Sequence, residues 1–393
     1  MKDIVTRIIY NALSIVFILI PRDKHLWITG KILSWDYTNA PPAFFDNSKY
    51  FYLYLVTQTN EKVYWISSSK KEIDMMKAMG LPVLRFPSIR AIFYVLRAKY
   101  SFHHYGTDQI NPILQRGMIQ LDFWHGTPLK KIRYDIIEPP VIKDGYIKKL
   151  LKRRGKEYVF STSEYLSKKI LQHAFNVCDD QLINFGYPRM DVLGLDKLAL
   201  KKFCADYSNE LITYIDQAEK KQLVLLYMPT FRDDDPNYFV KANIDWERLN
   251  EVLERCNGVI FIKLHPLTVQ EPIEGYKNIV QINNDVDVYP FLPFTTHLVT
   301  DYSSIMFDYL ALDKEMIFIP YDFNNYISNR PLYFDYDEII AGKKYSTFDE
   351  FISDIENIST LCYKEKREKI RRRLLGDYHF DACKRTYEFF KSM

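Results

Sequence analysis

The sequence is short of the features that would commit it to a disulfide scaffold, a metal site or a membrane span. Its 393 residues hold 5 cysteines, namely Cys178, Cys204, Cys256, Cys362 and Cys383, scattered, odd in number and without a CxxC or Cys/His spacing. That pattern excludes a disulfide framework and gives no reason to assign a metal; a reducing cytoplasm is the simplest setting for it. Charge of one sign is also scarce. The net value is +3, too small to indicate nucleic acid, and the basic runs at 130–133, 148–156 and 364–373 lack the interleaved aromatics of a single-strand binder. Such runs are either solvated faces or contacts for phosphate groups and acidic lipid. There is no internal repeat, low-complexity tract or GxGxxG fingerprint.

Long hydrophobic runs are missing too. The apolar stretch Ile4 to Ile20 is broken by Arg7 and Asn11, which leaves Ala12 to Ile20 uninterrupted, far short of the roughly 20 residues a spanning helix needs. Pro21-Arg22-Asp23-Lys24 follows, where a signal peptide would carry small residues for cleavage. Two readings satisfy this pattern: a helix lying in the membrane interface, or a first helix buried on the protein.

What is present is globular. Hydrophobic residues make up 47% and charged residues 26%, and the length predicts two domains of ordinary size. The aromatic share of 16% suits rings near sugars or a membrane, or simply large cores. After Pro21, short apolar runs rich in β-branched and aromatic residues predict strands at 25–29, 62–66, 83–86, 99–103, 119–124 and 158–161. Helical patterns fall between them, as at 69–79 and 88–98. A second series of strands is expected at 223–228, 259–264, 279–282, 297–300 and 316–320, with helices at 246–255, 304–312 and 347–358 and a charged helical stretch over 362–391. This alternation predicts two α/β halves with mainly parallel sheets and a cleft between them.

Ligands of open α/β sheets bind beyond the carboxyl ends of the strands, and four such places carry chemistry. In the first, a strand ends at Trp124 and His125-Gly126-Thr127-Pro128 follows, with Lys130 and Lys131 beyond. Histidine is the side chain suited to accept a proton near neutral pH, although a lone strand-end histidine also serves structure. In the second, Pro229-Thr230-Phe231-Arg232 leaves a strand. Its guanidinium fits phosphate oxygens, or pairs with one of Asp233 to Asp235. In the third, Lys263 and His265 alternate at a strand end, so both point to one side. In the fourth, Asp301-Tyr302-Ser303-Ser304 opens a helix. Ser303 or Ser304 would cap it, the free amides make either an ordinary capped start or an anion site, and Asp308 one turn on would reach a ribose hydroxyl.

In this order the four places resemble the CDP-glycerol glycerophosphotransferase family, the teichoic-acid primases and polymerases. The family's WHGTPLK block is Trp124 to Lys130, its PT[FY]R block Pro229 to Arg232, its KxHP block Lys263 to Pro266 and its TDYSS block Thr300 to Ser304. Lesser matches are DNSKY at Asp46 to Tyr50, STSEY at Ser161 to Tyr165, GYPR at Gly186 to Arg189 and FIPYD at Phe318 to Asp322. Met190 stands where the family usually has a small polar residue, and the extra N-terminal domain of long polymerases is missing, which favours single or short additions.

The resemblance implies a GT-B-like α/β fold: an amphipathic membrane-associating segment at 1–20, a Rossmann-like acceptor and base domain at 21–200, and a Rossmann-like CDP-donor domain at 201–393, facing a central cleft. It implies a peripheral, monotopic enzyme on the cytoplasmic face of the membrane. The donor would be CDP-glycerol or CDP-ribitol and the acceptor a lipid-linked glycan or polymer, with no nucleic acid and no cofactor; a need for Mg²⁺ stays open. His125 would be the general base. His265 and Arg232 would stabilise phosphoryl charge, and Ser303 and Ser304 would hold the pyrophosphate. Gly126, Thr127, Lys130, Thr230, Lys263, Asp301 and Asp308 complete the expected substrate contacts. The competing readings are a GT-B glycosyltransferase using a nucleotide-sugar and a non-catalytic membrane scaffold; the second predicts loss of His125 or His265, and both are present.

Overall fold

The computed structural model describes residues 17, 19–31, 44–104, 114–136, 156–232, 235, 238–265, 268 and 272–393. Most of the segment expected to be an amphipathic helix, most of the basic run at 148–156, Asp233, Asp234 and Pro266 lie outside the described residues. The chain divides into two units. One takes the chain up to Gly126, Arg133–Asp191 and Tyr378–Met393; the other takes Thr127–Ile132 and Val192–Asp377.

The first unit is built on seven strands, β1 (Asp23–Gly30), β2 (Lys62–Ser67), β3 (Val83–Arg85), β4 (Ala98–His103), β5 (Ile119–Asp122), β6 (Glu157–Phe160) and β7 (Leu182–Ile183). They lie in the order β3-β2-β1-β4-β5-β6-β7, all pairs parallel. The strands bury most of their side chains, as sheets covered on both faces require. Trp27 stacks on Tyr100 at 4.0 Å between ring centres, and Phe51 meets Trp27, Phe102 and Phe123 edge-on from the helix Asp46–Gln58. That helix gave no amphipathic signal because seven successive residues, Asn47 to Leu53, are buried; a helix covered all round shows no apolar stripe.

The second unit carries six strands, β8 (Leu223–Met228), β9 (Gly258–Lys263), β10 (Ile279–Ile282), β11 (His297–Thr300), β12 (Glu315–Phe318) and β13 (Lys343–Lys344). Their order is β10-β9-β8-β11-β12-β13, again all parallel. In both sheets the order reverses beside the first strand of the unit, β1 against β4 and β8 against β11. This is where doubly wound sheets open a crevice for ligands.

Three differences from the expected layout have physical causes. The two-residue strands β7 and β13 are too short to show a pattern. The strand expected to run to Trp124 stops at Asp122, because the Trp124 amide donates to Asp122 Oδ1 at 2.9 Å and Trp124 turns to φ +54°. The last helix, Ala382–Lys391, belongs to the first unit and not, as expected, to a second domain running from 201 to 393. Asp191 holds its start, accepting from the Tyr378 hydroxyl at 2.6 Å and from the amides of Ala382 and Cys383 at 2.9 and 2.8 Å. Phe390 then packs against Tyr158, and the Tyr100 hydroxyl donates to its carbonyl at 2.9 Å.

Burial lowers three histidines well below their ordinary range, His103 to about 3, His104 to about 4 and His297 to about 4. Between about pH 6.5 and 4 each binds a proton in the unfolded chain but not in the folded one, so stability falls as pH drops through that window. Each contributes a slope of up to about 1.4 kcal/mol per pH unit. Urea-unfolding midpoints measured from pH 7 to pH 5 are expected to fall, and a flat profile would contradict the neutral burial of these rings.

Candidate active site

In the first unit the turn after β5 is held from three directions. Asn47 donates through Nδ2 to the Trp124 carbonyl at 2.8 Å, and its Oδ1 accepts from the Arg189 amide at 3.1 Å. Arg189 Nη1 reaches Asp46 Oδ1 at 2.7 Å, both side chains being nearly buried. Its guanidinium lies directly under Gly126: a Cβ there would stand 2.2 Å from Nη2. Gly126 has φ +111°, which with that contact makes glycine the residue the turn accepts. Asp46 at φ +57° and Trp124 at φ +54° also occupy the left-handed region, a conformation that surrounding structure must enforce in residues with side chains.

His125 sits in this turn, half-buried, with its ring 3.9 Å from that of Trp124. Burial alone would raise the Asp46 carboxyl, but Arg189 and the histidines 104 and 125 hold it below the usual carboxylate range. Asp46 is thus held as a carboxylate in electrostatic contact with His125. Arg133, over the rings of Phe175 at 4.3 Å and Trp124 at 5.1 Å, closes the other side. Asp46, Asn47, His104 and Arg189 were missing from the expected site. Two of the lesser motif matches, DNSKY and GYPR, were the only trace of Asp46, Asn47 and Arg189, His104 lay in no motif, and nothing in a linear reading joins position 46 to position 189.

In the second unit, parallel pairing sets Met228 opposite Thr300. The chain therefore leaves β8 and β11 side by side, bringing Thr230 and Arg232 against Asp301. Arg232 is 3% exposed. Its Nε and Nη2 donate to Asp322 at 2.8 and 2.9 Å, Nη2 also donates to Asp301 Oδ2 at 2.9 Å, and Nη1 donates to the Thr230 carbonyl. Asp301 Oδ1 accepts from the Thr230 amide at 2.8 Å and the Tyr302 amide at 2.5 Å. The rings of Tyr326, Tyr302 and Tyr238 surround the guanidinium at 4.8 to 5.1 Å. The carboxylates raise the Arg232 pKa despite burial, which acts to lower it.

This corrects two expectations. Arg232 pairs with Asp301 and Asp322, and its donors are committed to protein rather than to phosphate. Asp301 likewise orders the loop. Asp308 is fully buried and accepts from the Tyr289 hydroxyl at 2.5 Å, which holds it inside the unit instead of presenting it to a ribose.

Ser303 and Ser304 are half-buried just beyond β11. Ser304 precedes the helix Ile305–Tyr309 in a helical backbone conformation and makes no side-chain cap bond, contrary to the expected cap. Lys130 belongs to this unit: Lys131 donates to the Pro331 carbonyl and Tyr333 to the Leu129 carbonyl, each at 2.9 Å. Its ammonium lies 5.7 Å from the ring of Tyr326, which stacks on Tyr302 at 4.0 Å. Thr127 is fully buried. Lys263, at the end of β9, donates to the carbonyls of Asn284 and Leu264 at 2.6 and 3.2 Å. Burial lowers it to about 8 against the pull of Asp287 and Asp285. His265 is exposed and stacks on Phe231 at 5.0 Å. Thus Lys263 turns inward and His265 outward, where the sequence predicts a shared side. Among the described residues no cluster of three His, Cys, Asp or Glu has metal-site geometry.

The family described as CDP-Glycerol:Poly(glycerophosphate) glycerophosphotransferase matches residues 37–380. The chain is 30% identical over 310 residues to a teichoic acid glycerol-phosphate transferase of Staphylococcus aureus, covering 76% of each protein. It is 28% identical to a teichoic acid poly(glycerol phosphate) polymerase of Bacillus spizizenii, over 94% of this chain and 96% of that one. Among solved structures, the wall teichoic acid polymerase TagF superposes with a TM-score of 0.72 at 22% identity, over all of this chain and 95% of its own. That likeness establishes the fold.

Two substitutions test the geometry. Gly126→Ala forces its Cβ against a pinned guanidinium and is expected to lower unfolding stability by about 1–3 kcal/mol. Arg232→Leu leaves the buried Asp301 and the partly buried Asp322 without their counter-charge, and a loss of about 3–5 kcal/mol is expected. Denaturant titration of both variants reads these losses directly; a neutral Arg232→Leu would remove the central place given to that ion pair.

Proposed function

The chain belongs to the CDP-glycerol:poly(glycerophosphate) glycerophosphotransferase family, and from that premise we infer that it transfers glycerol phosphate from CDP-glycerol to an acceptor hydroxyl. CMP is released, in teichoic-acid-type polymer synthesis. The acceptor is a membrane-linked glycan or polymer, and the enzyme works as a peripheral protein on the cytoplasmic face. No described helix is long and apolar enough to cross a membrane, and the segment at 1–20 serves this reading as an interfacial helix.

The observation that carries the reaction is the turn around His125. A half-buried imidazole is fixed beyond a strand end, in electrostatic contact with the Asp46 carboxylate, and its flanking backbone is locked by Asn47 and Arg189. His125 takes the proton of the attacking hydroxyl while the oxygen bonds to the glycerol-bearing β-phosphorus of the donor. The bond from that phosphorus to the bridging oxygen breaks, and CMP carries the charge away. Ser303 and Ser304, with the backbone amides beside them, and the ammonium of Lys130 hold the donor's phosphates, and His265 stabilises charge on the phosphoryl oxygens. Arg232 and Asp301 act at one remove, by holding the loop that carries the two serines.

CMP release measured with CDP-glycerol, CDP-ribitol and common nucleotide-sugars, with and without a lipid-linked acceptor, tests the donor; release from a nucleotide-sugar alone would overturn it. General-base help contributes ~10²–10⁴-fold, so His125→Ala is expected to lose that much turnover while still binding CDP-glycerol. A folded His125→Ala protein with near-normal turnover would sink the assignment. For Ser304→Ala a weaker affinity for CDP-glycerol is expected by calorimetry, with unchanged affinity counting against the phosphate site.

A further inference from the structure

The helix Ile89–Arg97 (IRAIFYVLR) contains no acidic residue. It buries Ala91 and Val95 against β1, β2 and β3, in a cluster with Leu26, Ile28, Ile66 and Leu84. On its other side Ile89 is 90% exposed and Phe93 57%. These two are four residues apart and so share one face of the helix. Arg90 is exposed beside them and Arg97 closes the last turn, while Arg85, at the end of β3, is exposed just before the helix begins. Single exposed apolar residues are ordinary; an exposed Ile–Phe pair framed by arginines on an acid-free helix is a composed surface.

A second observation joins it. The Arg22 guanidinium donates to the carbonyls of Leu96 at 2.6 Å, Val95 at 3.2 Å and Ala98 at 3.4 Å, and also to those of Phe17 and Arg116. It fastens the turn at Phe17 to the C-terminal end of this same helix. Leu19, in that turn, is 78% exposed.

We propose that Ile89, Phe93 and Leu19, with Arg85, Arg90 and Arg97 around them, form the face by which the first unit rests on an anionic lipid bilayer. Apolar side chains enter the boundary between headgroups and acyl chains, while arginines extend to the lipid phosphates. A protein partner would be expected to offer carboxylates to pair with the arginines. A bilayer supplies anionic charge and an apolar interior together, and it also accounts for exposed Leu19 lying in the turn that Arg22 ties to this helix. The proposal gives a place on the molecule to the membrane reading made above, and rests on that reading for its purpose.

The test is flotation of the full chain with vesicles of phosphatidylcholine alone and of an equimolar mixture with phosphatidylglycerol. The wild-type protein is expected to float with the mixed vesicles and much less with neutral ones. Ile89→Glu combined with Phe93→Glu is expected to reduce partitioning about tenfold or more. Arg90→Glu reduces it at least about fivefold, since one basic residue contributes roughly that factor, and high salt reproduces that loss. Leu198→Glu, at a site 80% exposed in the second unit, leaves binding unchanged. Circular dichroism establishes that each variant is folded. Wild-type partitioning of a folded Ile89→Glu/Phe93→Glu protein overturns the proposal, as does a wild-type chain that binds neither vesicle or one that instead dimerises through this face. Turnover on a water-soluble acceptor is measured in parallel and is expected to be unaffected. If that turnover is absent from the wild type while vesicle binding persists, it is the transferase reading that fails.

Discussion

One ion pair sets the form of the second unit. Arg232 joins the loop after β8 to the loop after β11 through Asp301, and to the segment after β12 through Asp322. A guanidinium with two carboxylates leaves an excess of negative charge in a nearly dry place. Such a group persists only when its geometry is good and its remaining donors and acceptors are met. Here they are: bidentate contact to Asp322, backbone amides on Asp301, and tyrosine rings around the cation. The network stops three successive strand exits from moving independently, which is what a phosphate-binding loop needs in order to be preorganised.

The first unit achieves a similar end with strain. Asp46 and Trp124 both hold left-handed backbone conformations, and Asn47 ties one to the other. Neither conformation is favourable in isolation. Their proximity around His125 is the arrangement in which surrounding contacts over-determine a site. The partners that enforce it come from the start of a buried helix and from a turn more than sixty residues beyond the histidine.

These two sites show what a linear reading carries. Strands were legible because buried parallel strands are continuous apolar runs: β8, β10 and β11 fall where the pattern puts them, and the places after β8 and β11 were identifiable as strand exits before their neighbours were known. Roles were less legible than positions. Arginine after a strand reads as a phosphate ligand or as the partner of the nearest acid, whereas its partners lie 69 and 90 residues downstream. Asp308 reads as reaching outward, but helix geometry turned it into the unit. The helix Asp46–Gln58 escaped notice because complete burial erases periodicity, and with it went Asp46 and Asn47. Contacts made across the sheet order, and not along the chain, are the part that spacing cannot encode.

The return of the last helix to the first unit has a consequence for how the protein is made. Asp191 receives the start of that helix, and Tyr100 and Tyr158 receive its end, yet the whole of 192–377 is synthesised in between. On the ribosome the second unit has its whole sequence once Asp377 is made, while the first unit waits with an apolar face uncovered. Domains usually complete themselves in chain order during synthesis. Here the order of completion is reversed, and a chain released before Tyr378 would carry a finished second unit beside an unfinished first one.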